Sequence, residues 1–154
     1  DMNLPERFDL TYVEKDGSKV RPVMLHRVIF GSIERFIGIL IEHFAGHFPV
    51  WLAPQQVSVV PVHHEKHLEY ANEVNEKLLA LGYRSKLDAR NEKLGYRIRE
   101  AQLSKIPYQL VIGDGEIENG SVTLRRAQSK ESLTMPLEDF IAMMNSAVEE
   151  KTLS

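Results

Sequence analysis

Asp88-Ala89-Arg90-Asn91-Glu92-Lys93-Leu94-Gly95-Tyr96-Arg97-Ile98-Arg99 is the stretch on which the reading of the fold turns. Tyr83–Asp88 reads as a strand, and Asn91 opens a helix that turns Leu94, Ile98 and Ala101 inward. The same switch from strand to helix occurs on either side of it. Upstream, Val57–Val60 is a strand, followed by an amphipathic helix with Leu68, Ala71, Val74, Leu78 and Leu81 on one face and Gly82 as its stop. Downstream come a strand at Tyr108–Ile112, a turn at Asp114–Gly115 and a strand at Val122–Leu124. Pro136 then leads a last helix with Leu137, Phe140, Ile141, Met144 and Val148 inward. Strands that alternate with helices predict an α/β domain over residues 49–154. We expect a mixed, mostly parallel sheet of about five strands flanked by three helices.

Residues 1–48 read differently. Leu10–Tyr12–Val13 and Val20–Val23–Leu25 flank Asp16–Gly17, a dipeptide suited to a hairpin turn. A helix with Ser32 as its cap then carries apolar residues at 33, 36, 37, 40, 41 and 44, with Ile39 off that stripe. Such a helix is apolar over most of its circumference and belongs inside a larger body. The start at Asp1, without an initiator Met, adds to the expectation of a segment taken from something longer. The helix is expected to pack on the second domain, to pair with another copy or to be mobile. Phe48–Pro54, with two prolines and the only Trp, reads as the junction.

The 154 residues are 43% hydrophobic and 27% charged, a composition that supports a packed core. No apolar run approaches the roughly 18–20 residues that span a bilayer. The chain has no cysteine, which excludes disulfides and Cys-type zinc sites within it and makes a cytoplasmic location the economical expectation. The net charge of −3 is unevenly spread: the stretch from Arg84 to Lys130 carries +4 and the remainder −7. A basic segment in an acidic chain suits either a phosphate-binding face or a mixed solvated surface.

Three groups of residues could carry chemistry. His63, His64 and His67 form a cluster in which the last two share a helix face; it suits a metal, as in a small metalloenzyme, or a solvated helix start. His43 and His47, four apart, allow the same two readings. The third group is the charged stretch quoted first, at the edge of an open α/β sheet where ligands bind and where free helix amides favour an anion.

Arg21-Pro22-Val23-Met24-Leu25-His26-Arg27, followed by Gly31-Ser32-Ile33-Glu34-Arg35-Phe36-Ile37-Gly38, resembles the third signature motif of class II aminoacyl-tRNA synthetases. The His-Arg pair and Phe48-Pro49-Val50-Trp51-Leu52-Ala53-Pro54 resemble the threonine branch of that family. Asp88-x-Arg90-x-Glu92-Lys93 with Gly95 and Pro107–Tyr108 resembles its anticodon-binding domain. The resemblance runs from the first residues to the last helix. It implies that residues 1–48 end a class II catalytic domain and that 49–154 bind an anticodon.

Carried over by position, the resemblance implies that Arg35 grips ATP, where a permanently charged planar fork suits spread phosphate charge. Ser32 would lie near the bound aminoacyl group. His26 would be one of three ligands of a zinc that reads threonine through its amino and hydroxyl groups, which rejects isosteric valine better than an apolar pocket can. Asn91, Lys105, Glu116 and Arg125 would contact the anticodon: Asn and Glu offer donors and acceptors to base edges, Lys and Arg serve the backbone. Lys105 stands where some relatives have Arg, and it lacks the bidentate fork. One site from these four requires the topology to bring them to one edge of the sheet. The family further implies ATP with Mg, zinc, threonine and tRNA(Thr) as partners of a homodimeric threonine–tRNA ligase, while this chain alone should be inactive and should bind no cofactor completely. The alternatives are an accessory RNA- or protein-binding module on the same fold, or the metalloenzyme built on the histidines.

Overall fold

The structure is a computed structural model that describes residues 1–129 and 131–153. The chain divides into two compact units, Asp1–Ile39 and Leu40–Ser154.

In the first unit a short helix, α1 (Asn3–Arg7), precedes β1 (Tyr12–Val13) and β2 (Lys19–Val20), which pair antiparallel with Tyr12 opposite Val20. Gly17, at φ 86°, supplies the left-handed conformation of the turn between them. Asp16 Oδ1 accepts from the Ser18 amide at 2.9 Å and its hydroxyl at 2.6 Å. The hairpin is thus where Asp16–Gly17 predicts it, with strands of only two residues each. Arg21 ties it to α1: Nη1 donates to the Pro5 carbonyl at 2.9 Å and Nη2 pairs with Asp9 at 3.1 Å. Helix α2 (Ile33–His43) begins in this unit and ends in the next. None of its residues is buried, and Ile33, Ile37, Ile39 and Ile41 are 64%, 47%, 55% and 48% exposed.

The second unit holds β3 (Val57–Pro61), α3 (Leu68–Ala80), β4 (Ser85–Leu87), α4 (Leu94–Leu103), β5 (Tyr108–Ile112), α5 (Asp114–Asn119), β6 (Ser121–Arg126), β7 (Ser132–Pro136) and α6 (Leu137–Glu149). Its five strands form one sheet in the order β4-β3-β5-β6-β7. The pairs β3–β4 and β3–β5 are parallel, and β5–β6 and β6–β7 antiparallel. The sheet is therefore evenly mixed rather than mostly parallel. Two features depart from the sequence reading for local reasons. Asp114–Gly115 opens a short helix instead of a turn, closed by Gly120 in the left-handed region at φ 61°. Pro136 ends an edge strand and caps α6 instead of being its first residue.

The two faces of the sheet have different cover. Val57, Val59, Tyr108, Leu110, Ile112, Val122 and Leu124 share one apolar cluster with Ala71, Val74 and Leu78 of α3 and Phe140, Met144 and Ala147 of α6. Helix α4 packs on β3 from the other side, and its buried Ala101 lies outside that cluster. This leaves β3 buried along its whole length between two layers. The side chains of β5 and β6 that alternate with the cluster, among them Gln109, Thr123 and Arg125, belong to the α4 side.

Arg97 of α4 is 1% exposed, and its guanidinium has no ion pair among the described residues. Its Nη2 donates to the Pro61 carbonyl at 2.7 Å and reaches that of Val62 at 3.3 Å, Nη1 donates to the Asp88 carbonyl at 2.8 Å, and Nε to the Glu92 carbonyl at 3.1 Å. Burial pulls this guanidinium below the usual arginine range, and the Asp88 charge offsets part of that pull. One side chain thus closes the ends of β3 and β4 and the loop that follows.

Two outcomes follow from this packing. Arg97→Ala should lower unfolding stability by about 3 kcal/mol in a urea titration, because it strands buried carbonyls, and Arg97→Lys should recover only part of the loss. The apolar surface of α2 should drive self-association. Light scattering should give a mass that rises with concentration, and the double change Ile33→Glu, Ile37→Glu should return it to that of a monomer.

Candidate nucleic-acid interface

The parallel strands β3, β4 and β5 end at Pro61, Leu87 and Ile112, and their loops define one edge of the sheet. Asn91 lies in the loop after β4, exposed, with its side chain unbonded among the described residues. Glu116 sits in α5, directly after β5, at that same edge. Lys105 and Arg125 lie at the opposite edge: Lys105 precedes β5, and Arg125 pairs with Gln109 near the start of β5. The requirement that all four share an edge is therefore not met. About 13 Å of β5 separates the two ends.

What Arg125 and Glu116 have in common is a face. Arg125 and Thr123 alternate with the core residues Val122 and Leu124, so they point away from α3 and α6. Glu116 is fixed to this side because its Oε1 accepts from Thr123 Oγ1 at 2.6 Å, while its Oε2 accepts from the Gly113 amide at 2.8 Å. Burial pushes the Glu116 carboxyl up, but these two donors outweigh it and hold the group below the usual range. Asn91 and Lys105 bracket α4, the helix that covers the same side over β3.

The face carries polar residues in successive rungs. Ser58, Gln109, Arg125 and Ser132 are cross-strand neighbours across β3, β5, β6 and β7, and Thr123 and Thr134 stand in the next rung with hydroxyls 2.7 Å apart. Arg125 Nη1 donates to Ser132 Oγ at 3.3 Å, whereas its buried Nε has no partner among the described residues. Gln109 is fully buried, and neither of its amide atoms has a partner there. An unmet buried amide costs about 1–3 kcal/mol, which marks a group kept for something other than stability. Gln109 escaped the sequence reading because one polar residue in an apolar strand carries no periodic signal.

The charged loop is less open to anions than its composition suggests. Arg90 grips Asp88 through Nε at 2.8 Å and Nη2 at 2.7 Å and also reaches Glu100 at 2.6 Å. Those bonds hold Arg90 above the ordinary arginine range and, chiefly through Arg90, Asp88 below the carboxylate range. Arg97 is spent on backbone carbonyls. Lys93 and Arg99 remain exposed, without ion pairs among the described residues.

Lys105 adopts a left-handed φ of 55°, and its ammonium donates to the Ala45 carbonyl. In the first unit Ser32 Oγ donates to Glu34 at 2.9 Å and accepts the Arg35 amide at 3.4 Å, acting as a cap. Arg35 has no ion pair among the described residues, so its guanidinium is open to an anion, although a single cation does not make an ATP site. His26 Nε2 lies 2.7 Å from Asp1 Oδ2.

Among the described residues no group of three His, Cys, Asp or Glu could hold a metal ion, so the histidine metal site is corrected. His63 Nδ1 accepts the Glu65 amide at 3.3 Å. The buried His67 accepts the His63 amide at Nδ1, 3.1 Å, which leaves its Nε2 hydrogen for Asp114 at 3.2 Å. His43 packs edge-on against Phe44, and His47 Nδ1 is buried without a partner. His26 offers one nitrogen, so zinc does not fit these residues as a complete set.

Comparison with known proteins agrees with this architecture. Residues 56–146 match the family model described as anticodon binding domain, and residues 1–44 match the tRNA synthetase class II core domain (G, H, P, S and T). The chain is 54% identical to threonine--tRNA ligase of Clostridium acetobutylicum over 100% of its own length and 24% of that protein's. It is 56% identical to the enzyme of Desulforamulus reducens over 99% of its length and 24% of that protein's. Thus it spans about a quarter of the length of these relatives. The crystal structure of the RNA binding domain of threonyl-tRNA synthetase from Cryptosporidium parvum Iowa II is similar at a TM-score of 0.73 and 35% identity, over 95% of this chain and 37% of that one. With a class II core segment in front of an anticodon binding domain, and this identity from end to end, the chain belongs to the threonyl-tRNA synthetase family.

Proposed function

We propose that this chain is the anticodon-recognising part of a threonine–tRNA ligase and binds the anticodon stem-loop of tRNA(Thr) over the α4 side of its five-stranded sheet. The observation that carries the reading is the polar face itself. Arg125 offers a guanidinium fork, Thr123 and Thr134 offer hydroxyls in the next rung, and Thr123 holds the Glu116 carboxylate beside them. Unstacked bases present donors and acceptors on their edges, and such a face answers both. Asn91 and Lys105 would meet the loop at its two ends.

In the whole ligase, ATP with Mg would activate threonine before its transfer to tRNA, in a cytoplasmic homodimer. Arg35 would meet the nucleotide, Ser32 the aminoacyl group, and His26 would contribute one ligand to a zinc. Two domains, 1–48 and 49–154, are the division we favour. It is supported by family matches that stop at residue 44 and resume at 56. An accessory binding module is the weaker reading, because the match to the catalytic core continues through residues 1–44.

The test is a titration with a threonine anticodon stem-loop and an anticodon-swapped one. Wild type should prefer the former. Arg125→Ala should remove roughly 1–3 kcal/mol of that preference, by analogy with bidentate readout of a guanine edge in duplexes. A wild type that binds both RNAs alike, or a variant that loses both equally, would remove the base-reading role.

A further inference from the structure

We propose a second site in the Leu40–Ser154 unit: a pocket for one nucleotide at the sheet edge where β5 begins. A cavity of about 230 Å³ opens there. Phe48, Pro49, Val50, Pro107 and Tyr108 provide an apolar wall, and Lys105 and Arg126 provide the charge. The volume suits one ring system rather than a drug-sized molecule.

Three observations mark the pocket as built. First, among the described residues its lining includes two cations and no carboxylate, and neither cation has an ion pair. Lys105 donates to the Ala45 carbonyl, a neutral acceptor. The Arg126 guanidinium lies 5.9 Å from the Tyr108 ring centre, and its contact to Met143 Sδ is 3.9 Å, a weak acceptor.

Secondly, the backbone is shaped to hold Lys105 in place. Lys105 takes a left-handed φ of 55°, and a Cβ on Gly46 would come within 2.8 Å of its Nζ. Gly46 itself stands at φ 77°, where a side chain is strained, and a Cβ there would displace the flexible end of Lys105. Thirdly, His47 Nδ1, on the same lining, is buried without a partner among the described residues and can donate or accept according to tautomer.

An apolar wall, two cations without ion pairs among the described residues and one unmet ring nitrogen together match a nucleotide. The base lies on the wall with an edge toward His47, and the phosphate lies on Arg126 and Lys105. Inorganic phosphate alone would leave the wall and His47 unused. The nucleotide is either a residue of the bound RNA or a free mononucleotide. The first source rests on the anticodon reading: Arg125 and Arg126 are consecutive on β6 and serve opposite faces, so an RNA strand leaving Arg125 over the sheet edge meets Arg126 next.

The test uses the chain as it is, with the two stem-loops and AMP as probes, and follows the His47 ring signals by NMR. Arg126→Gln should weaken both stem-loops about tenfold and equally, and lower the salt slope by about 0.7, the share of one phosphate on a single strand. Arg126→Lys should restore the slope. Movement of the His47 signals by a stem-loop assigns the pocket to RNA. Movement by AMP alone, lost in Arg126→Gln, assigns it to a free nucleotide. The proposal is overturned if neither probe moves His47 and Arg126→Gln binds both stem-loops like wild type. Failure of base reading looks different, since it appears in Arg125→Ala and leaves the Arg126 readouts untouched.

Discussion

The second unit depends on a guanidinium that bonds backbone carbonyls and has no ion pair among the described residues. A parallel sheet ends in carbonyls that its own ladder cannot satisfy, and here β3 and β4 end side by side under the start of α4. Arg97 collects those carbonyls, at Pro61, Val62, Asp88 and Glu92, with a fork rigid enough to serve several at once. Burying a cation is costly unless its hydrogen bonds are met, and nearly all of these are. The loop that carries Asn91 is thereby held at both its ends. Its other anchor, the Asp88–Arg90–Glu100 set, consumes the charges that composition alone would offer to a phosphate.

With that end closed, the usual ligand edge of an α/β sheet is partly occupied, and the open surface lies elsewhere. Helix α4 covers the second face over β3, whereas the antiparallel half keeps polar rungs on that side. The evenly mixed topology explains this. Parallel strands need crossover helices that cover them, while on β6 and β7 the outer face stays half-buried at Thr123 and Arg125 and exposed at Ser132 and Thr134. A site on a face also accommodates residues from both ends of the strands, which an edge site would not.

Much of this was legible in the sequence. The period-two and helical patterns located β3, α3, β4, α4, β5, β6 and α6, because each has an apolar side that must be buried. Strand β7 was not legible: four of its five residues are exposed, it lies at the sheet edge, and it ends in proline. Helix α5 was hidden by Asp114–Gly115, a pair that reads as a turn. Motif resemblance singled out Arg125 and Glu116, but spacing could not say which face each would take. Arg97 stood out only as part of a charged stretch and Gln109 was not singled out, for a common reason. Both are polar residues whose role comes from burial, and burial is a property of the packed chain.

The alternation along β6 carries one more consequence. Arg125 faces the polar side only because Val122 and Leu124 are locked into the apolar cluster, and side chains on a strand alternate strictly. A shift of a single residue would drive Arg125 into the core and turn both apolar side chains outward. The greasy interior therefore acts as the proofreader of the polar surface: no misregistered form can present the wrong arginine without first paying for a ruined core. Fidelity toward a nucleic acid would then be enforced from the inside of the protein, by residues that never meet it.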